Sequence, residues 1–201
     1  MANRVTPGAK WRYSLLAPNS DTPPIEIMNI ADDYGTQLSI GDFVKRINTG
    51  YIERAAAGDT LYGVFVGMEQ YWDGTAMRKG GHYPASTSYD TNFERQSKAR
   101  VIPIFGQAFE MDSDTAGSSE DTYAEHLAFV GENCEWVTGT ATGSYSGNLL
   151  DISTHATTNT LSLRLVGLSR HVDTDFAAVG VKWIVTGNLV HAPATGTTTG
   201  L

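Results

Sequence analysis

Apolar residues recur at every second position along several stretches of this chain, and at no helical interval over ten residues. Successive side chains of a strand point to opposite faces, so this period of two selects β-structure. The pattern is cleanest near the end of the sequence. Leu161, Leu163 and Leu165 alternate with Ser162 and Arg164, and Val181, Trp183 and Val185 alternate with Lys182. Residues 61–71 read as a strand with Tyr62, Val64 and Val66 on one face. Further strands are expected from Ile25 to Ile30, over 38–47 with a break at Gly41-Asp42, and over 51–57 closed by the turn Gly58-Asp59. Residues 101–111 read as one strand, which Pro103 assigns to a sheet edge. Helix signals are confined to Thr122 and Glu125, a capping box in front of two turns that Gly131 ends. The expectation is an all-β fold: one β-sandwich or barrel domain with long loops, at most one or two short helices and an extended N-terminal arm.

Three regions follow from the punctuation. Residues 1–24 contain Pro7, Pro18, Pro23 and Pro24 yet also Trp11, Tyr13, Leu15 and Leu16, so they form an arm that packs on its own domain or on a neighbour. Residues 25–192 are the β-rich domain, and 193–201 lack core residues and form a flexible tail. Two loops are long: 72–98, which holds Tyr83, Tyr89 and Phe93, and the Gly/Ser/Thr-rich stretch 138–158.

Charge narrows the function. The net charge is -8, which argues against a nucleic-acid partner. No Lys or Arg lies between Val101 and Leu163, whereas nine acids do, and the arm supplies Arg4, Lys10 and Arg12 before any acid occurs. The acidic block 110–135 is expected to face solvent, and the bases of the arm and of Arg78-Lys79 to face a partner. No apolar run is long enough for a membrane helix, and Met1-Ala2-Asn3-Arg4 lacks the apolar core of a signal peptide, so no export is expected. The single Cys134 excludes an intrachain disulfide.

Catalytic and metal patterns are sparse. Gly143-Ser144-Tyr145-Ser146-Gly147 misplaces the serine of a nucleophile elbow by one residue, and no phosphate-binding glycine loop is present. The five histidines are scattered, with no two within five residues. Asp112, Asp114 and Gly117 match positions 1, 3 and 6 of a calcium loop, but Tyr123 stands at position 12 where a glutamate is required, so the segment reads as an acidic turn. Tyr71, Trp72, Tyr83 and Trp136 are available for a sugar platform, although core and interface roles suit them better. No catalytic residue, metal or cofactor is expected.

An ordered series of segments carries more information. It runs from Gly41-Asp42-Phe43-Val44-Lys45 through Tyr51 to Asp59 and Leu61 to Gly67. It continues through Asp73-Gly74, Tyr83-Pro84, Val101 to Asp112 and Asn148 to Asp151, and ends with Thr157 to Leu168. This series resembles the cement or decoration proteins of tailed bacteriophages. The resemblance spans residues 38–190 and departs from it at Ile104-Phe105-Gly106 and in the basic segment Met77 to His82. It implies a non-enzymatic virion protein, made in the host cytoplasm, that sits on the outer capsid surface. There it stabilises contacts between capsomers, with the major capsid protein and itself, as a homotrimer, for partners. Contacts are then expected from Arg4, Lys10, Trp11, Arg12, Tyr13, Leu15 and Leu16 of the arm, and from Arg78, Lys79, Tyr83, Tyr89 and Phe93 of the long loop. The alternatives are a phage receptor- or carbohydrate-binding module and a tail or neck component.

Overall fold

The computed structural model of the chain describes residues 3–17, 20–31, 34–73, 75–85, 96–114, 122–169 and 174–190. Its strands are β1 (Lys10–Ser14), β2 (Glu26–Asn29), β3 (Leu38–Ser39), β4 (Phe43–Arg46), β5 (Ile52–Arg54), β6 (Gly63–Trp72) and β7 (Met77–Gly80). They continue with β8 (His82–Tyr83), β9 (Lys98–Pro103), β10 (Gln107–Asp112), β11 (Asn133–Val137), β12 (Leu149–Ala156), β13 (Leu163–Leu168) and β14 (Lys182–Gly187). The helix described is α1 (Tyr123–Ala128), opened by the expected capping box: Thr122 Oγ1 accepts from Glu125 N–H, and the Glu125 carboxylate accepts from Thr122 N–H. The fold is all-β.

The first sheet runs β1-β10-β14-β13-β11-β12 and the second β2-β9-β6-β4-β5, with β7 paired to the end of β6. A third, two-stranded sheet pairs β3 with β8. Both large sheets curl. Ser113, just past β10, bridges Leu150 of β12, and Ile30, just past β2, bridges Ile52 of β5.

Burial follows the alternation. β13 and β14 send Leu163, Leu165, Trp183 and Val185 into the main core beside Phe109, Met111, Trp136 and Leu150, and leave Arg164 exposed. The central strands of the second sheet, β4, β6 and β9, are buried on both faces. Phe43, Val64 and Ile102 enter the main core, while their chain neighbours Val44, Phe65 and Val101 enter a second cluster with Ile30, Leu38, Ile52 and Tyr83. Two-sided burial makes β6 read as a continuous apolar run. Tyr62 precedes β6 and packs on the second cluster, whereas Val64 and Val66 pack on the first, so the three do not share one face. Each large side chain buried this way contributes about 1.5–3 kcal/mol.

Several expectations are corrected. Residues 101–111 are two strands in different sheets: β9 ends at Pro103, and a turn over Phe105-Gly106, closed by Gln107 N–H to Ile104 O at 3.1 Å, turns the chain into β10. β9 is an interior strand between β2 and β6, and Pro103 is tolerated because it is the last residue. The Gly/Ser/Thr-rich stretch contains the eight residues of β12, and the loop 72–98 contains β7 and β8. Residues 86–95, with Tyr89 and Phe93, and the tail 193–201 lie outside the described residues. Of the two packings expected for the arm, the structure shows the one on its own domain, where β1 is a strand of the first sheet.

Candidate interaction surface

Residues Asn3 to Ser14 form a strap along the seam where the first sheet curls back on itself. Asn3 Nδ2 donates to Asp175 O at 2.7 Å, and Asp175 N–H returns a bond to Asn3 Oδ1 at 2.9 Å. Thr6 N–H donates to Asp112 Oδ2 at 2.5 Å, Gly8 N–H to Asn148 O at 2.7 Å and Ala9 N–H to Gly41 O at 3.0 Å. Gly8 and Gly41 cross in contact, at φ of 92° and 94°, and a Cβ on Gly41 would lie 2.9 Å from Gly8 Cα. Only glycine permits both the left-handed backbone and the close approach. β1 then pairs with β10 in the register Lys10↔Glu110 to Ser14↔Gln107, with a bulge between Trp11 and Tyr13. Trp11 packs on the main core, and its Nε1–H donates to Gln107 Oε1 at 2.9 Å.

This seam explains why the acidic block is not one solvated face. Glu110 and Asp112 are buried beneath the strap, at 6% and 1% exposure. Arg12 Nη2 lies 3.5 Å from Glu110, and Ser169 Oγ–H donates to the same carboxylate at 2.6 Å. Lys182 Nζ donates to Asp112 Oδ1 at 2.6 Å. Lys10 Nζ donates to Thr6 O at 2.7 Å, and burial of its ammonium lowers its pKa below the ordinary lysine value. The strap's bases are therefore partly spent on the domain's own acids.

Beyond β1 the chain exposes apolar surface. Leu15 N–H donates to Gly106 O at 2.8 Å, and the Leu16 side chain covers Gly106, yet Leu16 remains 68% exposed. Tyr13, Leu15 and Phe105 are exposed around it, and Ile25 and Ile27 are exposed on and beside β2, the edge strand that pairs with β9. β1 ends beside the Phe105-Gly106 turn, and β2 begins beside Val101 of β9, which leads into the same turn. Of these six, Tyr13, Leu15 and Leu16 were legible as contact candidates. Ile25, Ile27 and Phe105 were missed, because an edge position has no sequence signal here and Phe105 was read as the middle of a strand.

The remaining candidates separate. Arg78 and Lys79 are exposed on β7, where Arg78 Nε lies 2.6 Å from Asp73 and Lys79 Nζ 3.0 Å from Glu69. Asp73 also accepts from Thr75 and Ala76, and Arg78 leads these donors in holding its carboxyl well below the usual range. The hairpin is thus locally neutralised rather than basic. Tyr83 is 1% exposed and donates to Tyr34 O at 3.2 Å, so it is a core residue and not a contact. Arg4 sits in the strap, exposed, with its carbonyl 3.5 Å from Lys182 Nζ.

Ser144 Oγ and His82 Nδ1 stand 3.2 Å apart, but no carboxylate is bonded to His82 among the described residues, so the pair lacks the orienting group of a nucleophile. Ser146 is buried and donates to Asp42 at 2.5 Å, which ties the loop to the turn before β4. Asp112 is committed to Thr6 and Lys182, and no cluster of three ligating side chains occurs among the described residues. The sugar platform is dispersed: Trp136 and Tyr83 are buried in different clusters. Glu135 is a buried carboxyl whose pKa is raised, first by desolvation. Its Oε1 accepts from Ser162 N–H at 2.7 Å and Oγ–H at 3.1 Å, while Oε2 is buried without a hydrogen bond of normal geometry among the described residues. It ties β11 to the turn before β13.

No helix among the described residues is long and apolar enough to cross a membrane. Compared with family models, curated proteins and solved structures, the chain matches none.

Proposed function

We propose that this chain is a virion structural protein that binds the outer surface of a tailed-phage capsid and stabilises the contacts between capsomers, as a homotrimer and without catalysis. The observation that carries the reading is the exposed apolar corner of Tyr13, Leu15, Leu16, Ile25, Ile27 and Phe105, set on a framework buried on both faces of the central strands of its second sheet. Exposed large apolar side chains on a packed framework suit protein contact. The resemblance over residues 38–190 supplies the partner: the major capsid protein.

The physics of cementing is mass action. A protein that binds the assembled shell but not free capsomers stabilises the shell by its binding free energy, repeated at every site. A cyclic trimer matches the local three-fold positions of such a shell, and its second and third contacts form at high effective concentration.

The test is a reconstruction of particles carrying the chain, together with co-sedimentation of full-length protein with undecorated shells. The expected result is trimeric density at capsomer junctions and saturable binding that Leu16→Asp with Phe105→Asp weakens at least tenfold. Density in a tail ring or fibre, or wild-type protein that stays in the supernatant, refutes the reading.

A further inference from the structure

We infer that the strap, Asn3 to Ser14, is an exchangeable strand that seats in the seam of a second copy of this chain. The slot is built for this strap and no other, and every copy carries it. Its walls are Asp112, which receives Thr6 N–H, the carbonyls of Asn148 and Gly41, which receive Gly8 and Ala9, and the edge of β10 along which β1 pairs. Its charge complements the strap, with Glu110 facing Arg12 and Asp112 close to Lys10. All these partners are distant in sequence; Thr6 and Asp112 are 106 residues apart. The bonds are therefore satisfied equally by a strap from another copy.

The connection permits the transfer. Residues 15–25 separate β1 from β2, carry Pro18, Pro23 and Pro24, and are exposed at Leu15, Leu16, Ala17, Asp21, Thr22, Pro24 and Ile25. Eleven residues reach roughly 35–40 Å when extended, enough to span to an adjoining copy, and proline stiffens such a hinge against folding back. Leu15 and Leu16 travel with the strap, because Leu15 N–H and the Leu16 side chain seat on Gly106, so each exchanged strap rebuilds the apolar corner from residues of two copies. Exchange of one identical element around a closed ring gives a symmetric oligomer with no loose strap. This inference concerns copies of the chain alone and does not rest on the capsid reading.

Cysteine pairing tests it in solution. Ser14 and Gln107 are register partners with Gln107 Nε2 3.2 Å from Ser14 Oγ, and Cys134, the native cysteine, is buried. Full-length Ser14→Cys and full-length Gln107→Cys are mixed, refolded together from urea and mildly oxidised. A reductant-sensitive dimer joining one chain of each kind, formed by neither variant alone, is the expected result. Monomers only, while the double variant closes a disulfide within one chain, overturn the inference. The unsubstituted protein gives a second readout. Light and nitrogen-15-labelled chains are refolded together and joined by carbodiimide at Lys10 and Glu110. Light–heavy cross-linked peptides support exchange, and like-with-like pairs alone overturn it.

Discussion

Replacing Asp112 by Ala measures how firmly the strap is held. The carboxylate is 1% exposed and receives Thr6 N–H and Lys182 Nζ, whose side chain is 16% exposed. Truncation leaves a largely buried ammonium and a backbone donor without this partner. Removing one member of a buried ion pair costs about 3–5 kcal/mol. Lys182 keeps some access to water and lies 3.5 Å from Arg4 O, which favours the lower end. The orphaned Thr6 N–H adds about 1 kcal/mol. A total near 4 kcal/mol, at a urea slope of about 2 kcal/mol per molar, lowers the unfolding midpoint by roughly 2 M. The four tryptophans make fluorescence a direct readout of the transition. Asp112→Ala with Lys182→Met removes both charges at once, and its loss is expected to be smaller than the sum of the two single losses, because no charge is left buried alone. A midpoint shift under about 0.3 M for Asp112→Ala, or strictly additive singles, refutes the seam as described.

Two further outcomes follow from the same geometry. Burial raises the folded-state pKa of Glu135 above its unfolded value, so this group favours folding only below the ordinary glutamate pKa, about 4.3, and the contribution is lost as pH rises through the folded value. Glu135→Gln is therefore expected to gain stability relative to wild type as pH rises from 4 to 7 in thermal melts, and a difference that is flat with pH or falls contradicts the assignment. Gly41→Ala meets Gly8 Cα at 2.9 Å, whereas Gly58→Ala, at a similar φ of 84°, meets nothing within 4 Å. Gly58→Ala should lower Tm by about 2–4 °C for the left-handed backbone alone, and Gly41→Ala by clearly more; equal losses show that the strap does not cross there.

The fold was legible where a strand buries one face and exposes the other, or where a signal is local. Leu163, Arg164 and Leu165 announce β13 by alternation, and Thr122 with Glu125 announces α1 by a local hydrogen-bond exchange that needs no tertiary partner. The failures differ in origin. In sequence β10 reads as the continuation of β9 because the Phe105-Gly106 turn carries no polar break, β11 is missed because Glu135 stands at a buried position of its strand, and Glu110 and Asp112, also buried, read as part of a solvated block. Those carboxylates are tolerated inside only because Arg12, Lys182, Ser169 and Ser162 reach them from elements far away in sequence. β1 is hidden for the complementary reason, since the bases that pair with those acids read as the mark of a free basic arm.

The same reciprocity decides what the surface is for. A free arm bearing Arg4, Lys10 and Arg12 would act by long-range attraction to an acidic partner, and salt would weaken it. With Lys10 and Arg12 set against Asp112 and Glu110, the charge left for a partner is small, and what the strap region offers outward is Tyr13, Leu15 and Leu16. Association through this corner is then driven by apolar burial, which salting-out anions such as sulfate strengthen. Raising the sodium sulfate concentration is therefore expected to tighten self-association of the full chain in sedimentation equilibrium, while Leu16→Asp abolishes that response. Association that weakens steadily with added salt would return the contact to the charged residues and remove the apolar corner from the mechanism.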